Sequence, residues 1–343
     1  MSTTLTKKEA SPLMIFVAFA TLYIVWGSTY FFIQVAVQAI PPFIMGAMRF
    51  IAAGILLMIW CLITKDPLFN KKQIKYAAIT GIFLLFVGTG AVIYAEKTIP
   101  SSLVAVIISS QAIWLVLLDK KNWKENFTNR NTITGLIVGF IGVILLFSES
   151  ASKAIGTSAG SASVIALIVL LIGMWSWSGG SIYSKYNSFG SSAVNSTWQM
   201  LAAGAVFFIG SLIAGEWKTF EWTAVPTNAW LSVLYLIVMG SLAGFSAYVW
   251  LLRVRPVSQV GTHVYVNPVV AVLLGVFFAG EKMTVLQIVG LGIVLASVLL
   301  INLSKYRGTK KVETVVIEED KIVETSTTVS VSSQKLAVSL DTK

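Results

Sequence analysis

The residues in this sequence that are best suited to binding chemistry are polar side chains set inside long apolar segments. Two amides, Gln111 and Asn267, the lone histidine His263 and the arginine Arg49 occupy such positions. Amides donate and accept hydrogen bonds, arginine attracts anions, and histidine changes its charge near neutral pH. These four residues therefore offer recognition of a polar solute and, at His263, proton exchange.

The sequence contains few residue patterns that are typical of a catalytic site. The single cysteine, Cys61, and the single histidine exclude a disulfide framework and a metal site built from several histidines or cysteines. The sequence contains no glycine-rich phosphate loop and no nucleophile with a base and an acid at matching depth. We therefore expect no cofactor, no metal and no catalytic residues, and a protein that is neither an enzyme nor an ATP-driven pump.

The elements that must position these side chains are long and apolar. Hydrophobic residues make up 56% of the 343 positions, charged residues make up 12%, and the mean hydropathy is +0.81. Soluble domains average roughly 45–50% hydrophobic and about 25% charged residues. A transmembrane helix needs about 20 apolar residues. Ten segments of that kind cover residues 13–35, 43–63, 74–95, 101–118, 132–148, 163–183, 193–214, 229–252, 258–279 and 284–303. The sequence thus predicts an all-α membrane protein with ten transmembrane helices.

Lys and Arg residues are distributed unevenly among the connections between these segments. Twenty of the 25 lie in alternate connections that include both termini, four lie in the other connections, and Arg49 lies within a segment. Because loops rich in Lys and Arg stay in the cytoplasm, both termini are expected there. The net charge of +10 then reflects the concentration of Lys and Arg on the cytoplasmic side of the membrane. No nucleic-acid partner is expected.

The sequence contains a weak internal repeat. A shift of 156 positions sets Pro100 on Pro256 and Gln111 on Asn267. Each copy holds five segments, and an odd number inverts the second copy, as in secondary transporters whose substrate site lies at the repeat interface. The predicted organisation is a cytoplasmic N-terminus (1–12), a first repeat (13–148), an external linker (149–162), a second repeat (163–303) and a disordered cytoplasmic tail (304–343).

Several stretches also resemble a known family. The run WGSTYFFIQVAVQAIPPFIMGAMRFIAAGILL at 26–57, the proline-led fourth and ninth segments and the Gly280-Glu281 pair are similar to EamA-type carriers of the drug/metabolite transporter superfamily. The resemblance covers about residues 13–303 and implies a ten-helix carrier that exports metabolites, amino acids or drugs. The second repeat departs from the first because Gln199 stands where the first has Arg49.

Each polar candidate has a binding interpretation and a structural one. Gln111 and Asn267 either line a central cavity or hold helices together through hydrogen bonds. Pro268 frees a backbone carbonyl, which favours either a hinge or a packing kink.

His263, one turn before Asn267, is either a proton-coupling group or a satisfied hydrogen-bonding group. Arg49 either attracts a carboxylate or closes an external gate with a partner such as Glu96 or Glu216, and the family resemblance favours the structural role.

Aromatic and small residues at mid-depth suggest a cavity wall on which a solute can stack while glycines permit helix motion. The alternative for each tryptophan is an anchor at the membrane interface. The aromatic and hydroxyl candidates are Trp26, Ser28, Tyr30, Trp175, Trp177, Tyr94 and Tyr248, and the glycine candidates are Gly27, Gly179 and Gly180.

The leading hypothesis is a secondary transporter that exports a small molecule across the inner membrane of a bacterium by alternating access. A passive facilitator or channel for small polar solutes and, with less support, an integral membrane enzyme are the alternatives. The expected partners are the solute, the lipid bilayer, a coupling proton at His263, and a second copy of the chain through glycines of the fifth and tenth segments, such as Gly135 and Gly139.

Overall fold

The computed structural model describes residues 11–98, 104, 107–157, 161–279 and 284–301. Within these ranges the chain is helical and contains no β-strand. The principal helices are α1 (Pro12–Val37), α2 (Pro42–Ile63), α3 (Lys71–Ala95), α4 (Ile107–Leu118), α5 (Arg130–Thr157), α6 (Ser161–Asn187), α7 (Ser192–Ile213), α8 (Thr227–Val254), α9 (His263–Ala279) and α10 (Val285–Ile301). The predicted tail, most of the N-terminal segment, and the motif residues Pro100, Gly280 and Glu281 lie outside the described residues.

Six of these helices, α1, α2, α3, α6, α7 and α8, are long and apolar enough to cross a membrane. In the described ranges α4 and α10 are shorter apolar helices, and the helices Lys120–Thr128 and Arg130–Leu145 meet at a bend of 92°. The prediction of an all-helical chain with several membrane spans is confirmed for the residues described. The number ten and the inverted relation of two repeats stay predictions.

The described part of segment 149–162, the predicted external linker, is helical. Helix α5 continues to Thr157, and α6 begins at Ser161. The stretch SESASKA between residues 148 and 154 contains Glu, Ala and Lys, which favour helix. The segment therefore extends α5 as far as Thr157, and its last two residues, Ser161 and Ala162, begin α6.

The helices of the two predicted repeats pack across each other. The most extensive pair is α2 with α7, where Gly54 lies against Leu201 and Gly204 against Ile51. Helix α1 packs against α8 and α9, and α6 packs against α3 and α4. The sequence repeat matches α1 with α6, α3 with α8 and α4 with α9. The contacts of α1 with α8 and α9 in one predicted half therefore correspond to the contacts of α6 with α3 and α4 in the other.

Two helices contain π-helical turns at related positions. In α3 the turn covers Ile82–Thr89, and in α8 it covers Leu236–Phe245. Such turns are rare and frequently occur at functional sites because they shift the side chains that follow them around the helix axis. Both turns border the cavity described below.

The glycines of α5 pack helices of the same chain. A Cβ atom at Gly135 would lie 2.5 Å from Ile301, and one at Gly139 would lie 2.6 Å from Ser297. The hydroxyl of Tyr265 on α9 donates to the carbonyl of Leu136 at 2.9 Å. The small residues therefore allow α5, α9 and α10 to approach closely, and a homodimer through this face stays a prediction.

Candidate functional site

A cavity of about 80 Å³ lies between the helices of the two predicted halves. Its lining comes from seven helices, α1, α2, α3, α4, α6, α8 and α9. The polar and aromatic members are Trp26, Thr29, Tyr30, Arg49, Phe50, Thr89, Gln111, Trp177, Phe245, His263 and Asn267. The cavity thus brings together one guanidinium group, two amides, three hydroxyls, an imidazole and several aromatic faces.

The two repeat-equivalent amides both line this cavity but differ in their bonding. The Nε2 atom of Gln111 is buried and has no hydrogen-bond partner among the described residues. The amide of Asn267, in the orientation that satisfies its surroundings, donates to the carbonyl of His263 at 2.9 Å and to that of Tyr23 at 3.3 Å. Gln111 therefore has an unused donor, whereas Asn267 also holds the cavity wall together.

Gly27 and Pro268 shape the helix contact at Asn267. Pro268 lies inside α9, where it cannot donate a backbone hydrogen bond. A Cβ atom at Gly27 would lie 2.9 Å from the carbonyl oxygen of Asn267 and 2.7 Å from Cβ of Val270. The absence of a side chain at Gly27 therefore lets α1 approach α9 beside the proline. Neither residue lines the cavity itself.

His263 borders the cavity from α9 and is buried. Its Nδ1 atom lies 2.8 Å from the carbonyl oxygen of Val260. A carbonyl can only accept, so the neutral ring donates from Nδ1 and keeps Nε2 as an acceptor. The ring also lies edge-on to Trp26, with centroids 5.2 Å apart. The geometry accommodates both interpretations of this histidine.

Trp26, Trp177, Tyr248 and His263 form a continuous aromatic layer. The ring centroids of Trp26 and Tyr248 are 5.0 Å apart, and those of Trp177 and Tyr248 are 5.7 Å apart. The indole of Trp177 donates to the hydroxyl of Tyr248 at 3.1 Å, and that hydroxyl lies 2.6 Å from the Ser181 hydroxyl. Tyr248 does not line the cavity, but it contacts the three rings of the layer that do, including that of His263 at 5.5 Å.

The aromatic layer bounds one end of the cavity. The lining residues of α1 run from Trp26 to Ile33, and those of α6 run from Leu170 to Trp177. Trp26 and Trp177 are therefore the last lining residues on their helices in the direction of the layer. The indole of Trp26 is anchored there by donating to the carbonyl of Gly240 at 3.1 Å.

Arg49 reaches the cavity from α2. Its Nε atom donates to the hydroxyl of Ser241 at 2.9 Å, and its Nη1 atom has no partner among the described residues. Glu96 is buried just beyond α3, within electrostatic range of both Arg49 and Tyr30. Neither carboxylate oxygen of Glu96 has a hydrogen-bond partner in the described chain. Arg49 and Glu96 therefore interact at a distance and leave hydrogen-bonding capacity unused.

Glu216, the other partner considered for Arg49, caps a helix instead. Its carboxylate accepts from the backbone N–H of Ile44 at 2.9 Å and from that of Phe43 at 3.3 Å. A carboxylate at a helix N-terminus satisfies unpaired N–H groups and interacts favourably with the helix dipole. Glu216 thus fixes the start of α2, one turn or more from Arg49.

Several sequence-predicted residues lie away from the cavity lining. The hydroxyl of Ser28 donates to the carbonyl of Val25 at 2.7 Å and lies 2.6 Å from the hydroxyl of Tyr235. Trp175 is 57% exposed, with its ring 5.1 Å from that of Trp114. Tyr94 is 39% exposed. The helical periodicity explains Trp175, because two positions from Trp177 a side chain points to the other side of the helix.

The glycines of α6 have different surroundings. A Cβ atom at Gly180 would lie 2.8 Å from Cβ of Phe83, so this glycine permits close packing of α6 on α3. A Cβ atom at Gly179 would meet nothing within 4 Å in the described part of the chain. Gly180 therefore has a packing role that Gly179 lacks.

Some lining residues were not singled out from the sequence. Phe50 and Phe245 resemble ordinary residues of apolar helices, and nothing in their spacing marks them. The glycines that make room for the aromatic layer did carry a signal. Gly88 and Gly244 lie 156 positions apart, which is the shift that relates Gln111 to Asn267.

Comparison with known proteins agrees with this architecture. The sequence profile of the EamA-like transporter family matches residues 13–148 and again residues 164–303. The uncharacterized inner membrane transporter YedA of Escherichia coli (strain K12) is 36% identical over 296 residues, which cover 86% of this chain and 92% of that protein.

More distant relatives have similar names. The uncharacterized transporter YvbV of Bacillus subtilis (strain 168) is 26% identical, with 82% of this chain and 90% of that protein covered. A probable amino-acid metabolite efflux pump of Escherichia coli (strain K12) is 23% identical, with 84% and 95% covered. A protein crystal structure superposes with a TM-score of 0.70 at 18% identity, covering 87% of this chain and 99% of that chain, which shows a shared fold. The chain therefore belongs to the EamA-like transporter family, whose name and relatives indicate a membrane transporter rather than an enzyme.

Proposed function

We propose that this protein exports small amphipathic metabolites, such as amino acids, across the cytoplasmic membrane by alternating access. The observation that carries the proposal is the cavity itself, which combines unsatisfied polar groups with aromatic walls. One relative, a probable amino-acid metabolite efflux pump of Escherichia coli, supports the same class of solute.

The chemistry of the lining favours a solute with a carboxylate. The Nη1 atom of Arg49 and the Nε2 atom of Gln111 are buried donors without partners, and both residues line the cavity. A buried donor without a partner is unfavourable, so a solute that accepts from it gains affinity. Glu96 provides a carboxylate within electrostatic range of Arg49, which suits the ammonium group of a zwitterion.

The apolar part of the solute is proposed to contact the aromatic faces. Trp26, Phe50, Trp177 and Phe245 all line the cavity. Aromatic rings offer large apolar area at little conformational cost. A small molecule with one polar end and one apolar end therefore matches the distribution of groups around the cavity.

The proposed mechanism uses two inverted halves that exchange the accessible side. The reciprocal packing of α1 on α8 and α9, and of α6 on α3 and α4, supports this arrangement. The distribution of Lys and Arg supports cytoplasmic termini by the positive-inside rule. Together these features support a site at the interface of the two predicted repeats, where secondary transporters bind their solutes.

The proposal is tested by amino-acid efflux from cells that overproduce the protein. Cells loaded with a labelled mixture of the standard amino acids are expected to lose at least one of them faster than cells that overproduce the Arg49→Gln variant. Equal loss of every amino acid from both cell populations, with equal amounts of protein in the membrane, would reject the proposed solute class.

A further inference from the structure

Helix α7 carries a pair of buried polar side chains with no hydrogen-bond partner among the residues that the structure describes. Gln199 and Ser196 are both fully buried. Both amide atoms of Gln199 and the hydroxyl oxygen of Ser196 lack a hydrogen-bond partner in the described chain. Buried polar atoms without partners are rare in folded proteins, and each one requires an explanation. Neither residue lines the cavity described above.

These two residues face a closed part of the molecule. They are three positions apart on α7, so they lie on one side of the helix. The backbone of Gln199 packs so closely on α3 that a side chain at Gly81 would collide with it. On the neighbouring turn, Gly204 packs against Ile51 of α2, where a Cβ atom would lie 2.7 Å from Cγ1. Helix α7 is therefore closely packed on α2 and α3 near these two buried residues.

Gln199 is the repeat counterpart of Arg49. The match of Ala52-Ala53-Gly54 with Ala202-Ala203-Gly204 places the two residues at equivalent positions. Arg49 lies beside Gly240 and Ser241 in the π-helical turn of α8, and Gln199 lies beside Gly81, which directly precedes the π-helical turn of α3. The surroundings are thus related, but Arg49 borders an open cavity and Gln199 does not.

We propose that Gln199 and Ser196 line a second polar cavity, which opens when the first closes and contacts the transported solute there. The inference rests on the proposed alternating access, in which the closed half of one state becomes the open half of the other. The second cavity explains why the Gln199 amide has no partner in the described structure. When that cavity opens, water and solute supply the hydrogen bonds that the amide lacks while it is closed. An uncharged amide in place of a guanidinium group also means weaker binding of the solute carboxylate on this side.

The single native cysteine allows the second cavity to be tested by labelling. In a Cys61→Ala background, Ser196→Cys reports on the proposed cavity and Thr89→Cys, which lies on the observed one, is the matched control. A membrane-impermeant thiol reagent is applied to right-side-out and to inside-out vesicles. We expect the two cysteines to react from opposite sides of the membrane, and a mixture of the standard amino acids to slow both reactions at least about twofold.

The labelling results separate this inference from the proposed function. Reaction of Ser196→Cys from the same side as Thr89→Cys, or from neither side while amino-acid transport persists, would overturn the second cavity. Opposite-sided labelling in a protein that transports no amino acid would support the second cavity and reject the proposed solute class.

A second variant covers the case in which Ser196→Cys fails to fold. Gln199→Met keeps the approximate shape of the side chain and removes the unsatisfied amide. We expect the thermal midpoint of this variant to rise, because an unpaired buried amide is removed, and its transport to fall at least about tenfold. An amide with a structural role alone would give transport within about twofold of the wild type, which would contradict the inference.

Discussion

Trp26 and Trp177 meet edge to face, with ring centroids 5.5 Å apart and an angle of 80° between the ring planes. Trp26 packs on Gly244 of α8, and Trp177 packs on Gly88 of α3. Each tryptophan therefore reaches from its own predicted half to a glycine in the π-helical turn of the other half. The pair joins the two halves at the end of the cavity.

The first prediction concerns these glycines. Gly88→Ala and Gly244→Ala should each lower transport at least about fivefold, because a Cβ atom would lie 2.8 Å from the Trp177 ring in one case and 2.5 Å from the Trp26 indole in the other. Gly179→Ala is the control, since its added methyl group meets nothing in the described chain. Transport rates and membrane levels of the three variants check the prediction. Equal rates in all three would show that the fit of the tryptophans is unimportant.

The second prediction separates the two cavity amides. Gln111→Leu should lower transport at least about tenfold, equivalent to about 1.4 kcal/mol, with little loss of stability, because its Nε2 atom has no partner to lose. Asn267→Leu should lower both transport and the thermal midpoint, because the amide bonds to His263 and Tyr23 are lost. Transport and thermal unfolding in detergent are measured for each. Normal transport in both variants would reject the amide site.

The third prediction concerns charge in the cavity. Arg49→Gln should weaken transport of amino acids more than transport of the corresponding amino-acid amides, because the guanidinium group is proposed to bind the carboxylate. Glu216→Gln is the control, since this carboxylate caps α2 and does not line the cavity. Competition by the two solute series provides the measurement. An equal loss for both series would assign Arg49 a structural role alone.

The fourth prediction tests proton coupling at His263. The coupling hypothesis predicts that His263→Gln keeps transport but removes its dependence on pH between about 5 and 8. Glutamine retains a donor for the carbonyl of Val260, which the ring nitrogen contacts at 2.8 Å. A pH profile that matches the wild type would leave His263 as a hydrogen-bonding group of the aromatic layer.

The sequence was sufficient for the class of fold and for the polar residues at the centre of the candidate cavity. Apolar length identified the long helices, and depth within them identified Gln111, Asn267, His263 and Arg49, all of which line one cavity. These residues were recognisable because a polar group in an apolar segment is costly and so is informative.

The remaining lining residues depended on which side of each helix faces the cavity. The periodicity of the sequence does not give that orientation. Trp175 and Trp177 were indistinguishable in sequence, yet Trp177 lines the cavity and Trp175 is 57% exposed. Two π-helical turns shift the register of α3 and α8, so the position of Phe245 was beyond a regular helical pattern. The burial of Glu96 was missed because it follows the end of an apolar segment rather than lying inside one.

The most direct test of the central claim is solute counterflow in proteoliposomes that contain the purified protein. Vesicles are loaded with an excess of the unlabelled standard amino acids and diluted into a trace of the labelled mixture. A carrier that binds its solute in this cavity should accumulate at least one labelled amino acid transiently above equilibrium, and the Gln111→Leu variant should not. Linear, unsaturable entry without transient accumulation, identical in both proteins, would contradict the account and favour a passive facilitator.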